Sequence, residues 1–445
     1  MENYLSVEDN FKKMELQLAK GTRDFLPEEK IIRDQIMDTL KEACETFGFS
    51  PIETPIIERY ETLTAKFAAG EESDAMKETF KFQDQGERSL GLRFDLTVPF
   101  SRFIAMNKSA LKMPFKKYIV GEVFRDGPLK AGRYRQFTQF DPDIVGCKEM
   151  VADAEVISLA DYAFSKFGFE FEIELNNKKL LIGILEDAGI DVAERFSVLV
   201  SVDKLKKIGE QGVRRELKEK KYEDKEINFI LNLLKKESSN EETLEKLKKN
   251  VKSFEGQEGI KEIEEIFNYL KKFGVKSVVF EPSLARGLGY YTGPIFEVFL
   301  KNSSMTGSAA GGGRFDKMIG DFLETTEEYP AVGFSFGVEV LFEAYKEKNK
   351  IEKRTVTELY VIPIGVFEEC FDIVSSFRQK GVKVDFDLLR RGVSKNLNYA
   401  NAYGIPFVAF IGSTELEQGK LKLKNLKTGE EKFVSVDEAV GIVRG

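Results

Sequence analysis

KKYIVGEVFRDGPLKAGRYRQFTQFDPDIVG, residues 116–146, holds two runs of alternating character on either side of a loop containing glycine and proline. That pattern predicts a hairpin with strands at 116–125 and 136–145. Arg125 opens the loop, and Lys130, Arg133 and Arg135 follow it. On the returning strand the period of two puts Phe137, Gln139, Asp141 and Asp143 on one face and Thr138, Phe140, Pro142 and Ile144 on the other. A face carrying one aromatic ring, an amide and two carboxylates opposite arginines is poor core material. It suits a nucleotide and a small charged ligand, with arginine for phosphates, phenylalanine for stacking, and Asp and Gln for an amine or amide. An exposed face of solvated charges is the other reading this segment allows by itself.

Upstream, LRFDLTVPF (92–100) alternates in the same way, so that a strand over 90–98 is expected with Arg93, Asp95 and Thr97 on one face. Downstream, LARGLGYYTGPIFEVFL (284–300) sets Arg286 ahead of Tyr290 and Tyr291. Residues 28–47 place Ile31, Ile32, Ile36, Leu40, Ala43 and Phe47 on one helical face, ended by Gly48. A helix over 151–168 and a strand at FEFEIEL complete a first half of helices on an antiparallel sheet. The stretch 193–275 is rich in Lys and Glu. Its apolar positions Leu244, Leu247, Val251, Phe254, Ile260, Ile263, Ile266, Leu270 and Phe273 recur every three or four residues, which favours a small helical domain covering its own stripe over a coiled-coil partner site, the other reading of the pattern. Strand signals return at 276–300 and 307–320, and a helix follows from about 335. YKEKNKIEKRTV (345–356) reads as a charged linker before alternating strands and helices of a separate parallel α/β domain.

Composition narrows the chemistry. The 445 residues suggest two to four domains, and 42% apolar with 32% charged residues is the balance of a globular chain. The net charge is 67 − 75 = −8, so no general basic field attracts nucleic acid, although a local patch suffices. The first twenty residues lack the apolar core of a signal peptide and no run reaches membrane-span length, so a cytoplasmic location and no membrane partner are expected. Three unpaired cysteines argue against disulfides or a cysteine zinc site. Histidine is absent altogether, where a chain of this length carries on the order of ten. Imidazole bases, triads and metal ligands are therefore excluded, leaving carboxylates, cations, tyrosines or bound Mg²⁺. No phosphate-binding GxxxxGK[ST] loop occurs, and Gly311, Gly312 and Gly313 without a following lysine read as a tight turn or close backbone packing.

These pieces, in this order, resemble the histidyl-tRNA synthetases, a family of class II aminoacyl-tRNA synthetases. KGTRDFLP (20–27) is similar to the family's N-terminal signature, and GFSPIETPIIE (48–58) to motif 1, a dimer element. FRDGPLKAGRYRQFTQFDPDIVG resembles motif 2, RGLGYYTG the histidine-specific loop, and AVGFSFGVEVL (331–341) motif 3. The run SKNLNYANAYGIPFVAFIGSTELEQGKLKLKNLKTGE resembles the anticodon-binding domain.

The resemblance implies an α+β fold: a class II antiparallel sheet flanked by helices, with a helical insertion and a C-terminal α/β domain. It divides the chain into catalytic core at 1–192 and 276–348, insertion at 193–275 and anticodon-binding domain at 354–445. It implies ATP-dependent activation of histidine and transfer to tRNA(His), by a homodimer using ATP and Mg²⁺. By similarity Arg125 and Arg286 are the catalytic cations at the α-phosphate. Arg133 and Phe137 hold the rest of ATP, Phe137 by stacking on adenine. Asp95 and Thr97 take the substrate ammonium, and Gln139, Asp143, Tyr290 and Tyr291 line the histidine pocket. No metal ligand is assigned. The sequence departs from the family pattern at four places. Motif 3 ends in Glu339-Val340 where Glu-Arg is usual; the aspartate of RGLDYY is Gly289; the tyrosine after GGR is Phe315; and the acid usually two residues after the motif 2 arginine has only Asp126, one after, as a candidate. The alternative is a non-catalytic, histidine-sensing paralogue like the regulatory subunit of ATP phosphoribosyltransferase, which lacks the C-terminal domain.

Overall fold

The computed structural model describes residues 16–64, 77–128, 134–285, 289–305, 307–349 and 354–445. They form two compact units, the larger built on Ile36–Tyr345 and the smaller on Lys346–Gly445 with Asp24–Gln35.

The 116–146 hairpin forms as expected, with β5 at Phe115–Phe124 and β6 at Gln136–Val145 in antiparallel register from Phe115↔Val145 to Phe124↔Gln136. It is the nucleus of an eight-stranded sheet that also contains β1 (Ser50–Pro51), β7 (Phe171–Asn177), β8 (Val278–Phe280), β9 (Pro294–Leu300), β10 (Ala310–Arg314) and β11 (Ala331–Gly337). The order is β1-β5-β6-β11-β10-β9-β7-β8. All inner pairs are antiparallel, while the outer pairs β1–β5 and β7–β8 are parallel, so the sheet is mixed at its edges. The sequence of the hairpin decides which face is which. Phe140 turns to one side and packs with Tyr118, Phe336 and, through Phe336, with Phe164 of the helix Val151–Lys166. The polar set of β6 is left on the opposite side.

The strand expected over 90–98 is shorter. Ser89–Leu92 forms β4 in a separate three-stranded sheet with β2 (Ile57–Arg59) and β3 (Lys81–Gln83), and a helix begins at Thr97 and runs to Asn107. The carboxylate of Asp95 accepts a hydrogen bond from the Val98 N–H at 3.0 Å, and Pro99 sits in the first turn, where a missing N–H loses no helical bond. Leu96, Phe100 and Ile104 are fully buried at helical spacing, and this packing overrides the local alternation.

Five helices, Val192–Val202, Leu205–Glu219, Asp224–Leu233, Asn240–Asn250 and Phe254–Phe273, follow the helix Lys178–Asp187. Leu244, Leu247, Val251, Ile260, Ile263, Ile266 and Leu270 are buried as their spacing predicts. Phe254 and Phe273, expected on the stripe, are the end residues of their helix and stay exposed at 82% and 47%. The helix is held against Lys178–Asp187 by glycine: a side chain on Gly183 would meet Gly256 Cα at 2.4 Å, and one on Gly259 would meet the Leu180 nitrogen at 2.5 Å. Gly311, Gly312 and Gly313 are not a turn. They are the strand β10, and a Cβ on Gly312 would lie 2.1 Å from the Gly333 carbonyl. The helix Val338–Lys348 takes up the start of the segment read as a linker.

In the smaller unit the order is β13-β12-β14-β15-β16, comprising Val384–Phe386, Leu359–Pro363, Phe407–Ile411, Leu421–Asn425 and Glu431–Val434. The first three strands are parallel as expected, and the last two add an antiparallel hairpin. Separate apolar clusters cover the two faces, one around Phe377, Leu421 and Val374 and one around Tyr360, Ile405 and Ala400.

Candidate active site

Glycine shapes the floor of the polar face. Across the sheet, Lys117 pairs with Asp143, Asp143 with Gly333, and Gly333 with Gly313. A Cβ on Gly333 would stand 1.9 Å from Asp143 Oδ1, so the carboxylate lies directly over that backbone. Two layers along the same face, Gly121 faces Gln139. A Cβ on Gly121 would meet Arg93 Nη2 at 2.0 Å, and the buried Arg93 guanidinium fills that space. Arg93 donates to the carbonyls of Thr54 at 2.8 Å and Glu122 at 2.7 Å, and burial lowers its affinity for its proton. It ties three segments together and is not presented to a ligand.

Arg125 lies at the end of β5, where Phe137 and Phe94 bracket it. Its guanidinium carbon is 4.2 Å from the Phe94 ring centroid and 4.9 Å from that of Phe137, and Nε donates to the Phe94 carbonyl at 3.2 Å. Arginine stacks on such rings without losing its donors, so the cation is aimed by its flat faces. Gln139 donates to Ser335 Oγ at 2.8 Å. Asp143 is in an ion pair with Lys117, which is fully buried, donates to the Asp141 carbonyl at 3.0 Å and lies 4.0 Å from the centroid of Phe100. Burial, and after it the Asp143 carboxylate, push the Asp141 carboxyl up to about 8. Burial also raises Asp143, against the pull of the Lys117 ammonium. Tyr290 and Tyr291 pack against each other with ring centroids 4.3 Å apart and planes tilted by 48°, their hydroxyls 3.1 Å apart, in one cluster with Phe315, Phe137 and Phe100.

Of the residues singled out in the sequence, Arg125, Phe137, Gln139, Asp143, Tyr290 and Tyr291 belong to this one face or to the cluster bordering it. Asp95 and Thr97 sit at the N-terminus of the helix Thr97–Asn107, with Asp95 engaged in capping it. Lys130, Arg133 and Arg286 lie outside the described residues. The loop leading to Arg286 is anchored by Asn176, which donates to the carbonyls of Pro282 at 2.9 Å and Leu284 at 2.8 Å. Sequence reasoning missed Lys117 and Ser335. Lys117 was findable, because alternation on β5 sets it on the face of Asp143 once the hairpin register is known. Ser335 comes from a strand remote in sequence.

The departures from the family pattern acquire structural reasons in part. Glu339 is buried and accepts from the Thr138 N–H at 3.0 Å. Phe315 is 2% exposed within the tyrosine cluster, so a phenolic hydroxyl there would need a buried partner. Asp126 is ion-paired with Arg135 at 2.9 Å, and the Glu78 carboxylate lies where a side chain on Gly127 would begin, 2.6 Å from its ideal Cβ. Nothing in the structure explains Gly289.

The model of one protein family, "Histidyl-tRNA synthetase", matches residues 21–341. The chain belongs to the histidyl-tRNA synthetase family. An "Anticodon binding domain" model matches residues 358–445. A protein named "Histidine--tRNA ligase 1" of Bacillus cereus is 39% identical over 424 residues, covering 94% of this chain and 95% of that one. "Histidine--tRNA ligase 2" of Shouchella clausii is 38% identical over 95% of this chain and 99% of its own. The crystal structure of histidyl-tRNA synthetase from Nostoc sp. superposes with a TM-score of 0.86 at 29% identity, over 97% of this chain and 99% of that one. The class II synthetase fold expected from the motifs is therefore the fold of this chain, and membership extends through both its units.

Proposed function

We propose that this chain is a histidine–tRNA ligase: it joins histidine to AMP from ATP, releasing pyrophosphate, and passes the acyl group to the 3′ end of tRNA(His). The single observation that supports it best is the stacked cation of Arg125 beside an aromatic platform and a glycine-floored carboxylate pocket. In the activation step a histidine carboxylate oxygen attacks the α-phosphorus while the bond to pyrophosphate breaks. Charge develops on phosphate oxygens, so fixed cations matter more than a general base, and the absence of histidine from the chain is no obstacle. Arg125 and Arg286 hold the α-phosphate and substrate carboxylate, Phe137 the adenine and Arg133 the terminal phosphates. Asp95 and Thr97 take the ammonium; Gln139, Asp143, Tyr290 and Tyr291 line the side-chain pocket. Among the described residues no three His, Cys, Asp or Glu side chains are grouped to hold a metal, so Mg²⁺ would be held mainly by ATP phosphates.

Residues 354–445 serve as the anticodon-binding domain, 193–275 as the insertion, and 1–192 with 276–348 as the catalytic core. The reading includes a homodimer acting in the cytoplasm. Motif 1 and its surroundings expose Ile56 at 42%, Ile57 at 49% and Met106 at 72%, apolar surface suited to a second copy. No helix among the described residues is long and apolar enough to cross a membrane. The match over 358–445 weighs against the histidine-sensing paralogue.

ATP–pyrophosphate exchange with each of the twenty amino acids, followed by charging of tRNA(His), tests this. Exchange dependent on histidine alone is expected. Exchange with another amino acid, or histidine binding without exchange, overturns it.

A further inference from the structure

The entry to β6 is held by segments far from it in sequence. The Arg135 carbonyl accepts the Arg125 N–H at 2.8 Å, one pair beyond Phe124↔Gln136, and the Arg135 N–H donates to the Gly21 carbonyl at 2.9 Å. Gly21 lies in a turn closed on the Ala19 carbonyl by the Thr22 N–H at 3.0 Å and the Thr22 hydroxyl at 2.7 Å, and its φ of 87° suits a residue without Cβ. Two residues on, the Arg23 guanidinium carbon is 4.3 Å from the Tyr134 ring centroid and 5.5 Å from that of Phe342. Its Nη1 donates to the Tyr134 hydroxyl at 3.1 Å and to the Glu343 carboxylate at 3.3 Å. Phe342 and Glu343 stand three and four residues after Glu339 on the helix Val338–Lys348, and so share its face. That one face holds the start of β6 twice, at Thr138 through Glu339 and at Tyr134 through Arg23.

We propose that Arg23 is a positioning residue for the activation step, acting through Tyr134 and Arg135 to fix Arg125 and Phe137. The assignment rests on the ligase reading and deepens it. Arg125 is placed by its backbone bond to Arg135 and by the rings of Phe94 and Phe137 beside its guanidinium. Arg135 and Phe137 both follow Tyr134 within three residues, so a displaced Tyr134 shifts the two supports together. A misplacement of about 1 Å at a reacting centre costs up to about a hundredfold in rate. The clamp calls for arginine in particular. A guanidinium lays a flat face on Tyr134 while donors at its edge reach the hydroxyl and Glu343, whereas an ammonium brings the charge without the face. The Arg23 and Glu343 side chains are 21% and 30% exposed, so water weakens the ion pair and the stack on Tyr134 carries more of the geometry. The N-terminal signature KGTRDFLP, 111 residues before Tyr134 at Arg23, thereby gains a part in the chemistry.

The test compares Arg23→Ala, Arg23→Lys and Tyr134→Phe in the full chain, with Arg23→Ala also combined with Arg125→Ala. Rates are taken well below the melting transition, so that lost stability does not enter. Arg23→Ala should slow single-turnover adenylate formation on the order of tenfold or more, with little change in the KM for histidine. Arg23→Lys should stay slow, and Tyr134→Phe, which keeps the ring and loses the hydroxyl, should lose less. With Arg125→Ala already in place, Arg23→Ala should slow the reaction little further, because it acts through that cation. Deuterium exchange over residues 121–127 and 134–139 should rise in Arg23→Ala. A parent-like rate in Arg23→Ala overturns the proposal, as does a slowing just as large without Arg125, or unchanged deuterium exchange. Should Arg23→Ala not fold, Arg23→Lys and Tyr134→Phe decide by the same measurements, parent-like rates in both overturning it. A parent protein without histidine-dependent exchange overturns the ligase reading, and the deuterium exchange then still decides whether Arg23 holds the backbone of Arg125.

Discussion

The carboxylate of Glu339 accepts the backbone N–H of Thr138 at 3.0 Å, in a position buried from solvent. The β6–β11 ladder has run out by this point, its last pair being Gly337↔Gln139, so the side chain replaces a missing strand bond and keeps β6 straight beside Phe137 and Gln139. This relationship separates the two halves of the Glu-Arg signature. Glu339 is used by the fold and is present, whereas Val340 takes no part in this bond.

Glu339→Ala should therefore act on stability. The Thr138 N–H would be left buried without an acceptor, costing about 1–3 kcal/mol. Urea unfolding followed by a signal confined to residues 36–345 should show an earlier transition, and Glu339→Gln should recover part of the loss.

Arg125→Ala should act on chemistry. In the proposed role its cation meets charge that develops only as the phosphorus is attacked, so the single-turnover rate of adenylate formation should fall on the order of a hundredfold or more, with a smaller change in ATP affinity. Arg125→Lys should stay slow, because a lysine keeps the charge but not the flat stack between Phe94 and Phe137. A near-normal rate for Arg125→Ala in rapid-quench experiments would contradict the placement of this cation.

Arg314 and Asp153 form an ion pair in which both side chains are almost completely buried, with Asp316 and the Cys147 carbonyl as further acceptors at 3.2 Å. Removing one partner strands the other charge, so Asp153→Ala should cost about 3–5 kcal/mol and lower soluble yield. Thermal unfolding of Asp153→Ala and Arg314→Met measured side by side, with the double variant less impaired than the sum, checks the coupling.

The Asp141 carboxyl supplies a pH prediction. Burial and then Asp143 push it up to about 8, against roughly 3.9 in an unfolded chain. The folded state thus binds the extra proton between those values, and stability falls as pH rises toward 8, by at most about 1.4 kcal/mol per pH unit from this group. Lys117, Asp143, Ser335 and Asp95 are the groups around it. Asp141→Asn should gain stability relative to the parent protein between pH 6 and pH 9, measured by chemical unfolding at both. A constant difference across that interval would contradict the shift.

In the smaller unit Asp387 holds a loop by accepting from Arg391 at 2.9 Å, Asn396 at 3.0 Å and the Leu389 N–H at 3.1 Å, and Arg391 donates on to Tyr360 at 2.8 Å. Asp387→Ala should raise hydrogen exchange over residues 384–400 and weaken tRNA charging while leaving ATP–pyrophosphate exchange intact. Unchanged charging would show that the order of this loop does not matter to the use of tRNA.

The chain's own order of residues determined the β5–β6 hairpin, its strand limits to within one residue, and the division of β6 into a polar and an apolar face, because alternation has a period that only one pleat satisfies. It determined the helical stripe from Leu244 to Leu270 for the same kind of reason. Motif order determined the family. Tertiary structure decided the rest. It turned 93–98 from a strand into the approach to a helix, because Leu96, Phe100 and Ile104 share a core that a strand could not reach. It buried Arg93 under Gly121, where alternation sets it only on one face with Asp95 and Thr97. It also gave the two aspartates of β6 different surroundings: Asp141 and Asp143 are equivalent in pattern, and only the strand register sets Lys117 opposite Asp143 as its counterion and Gly333 beside it.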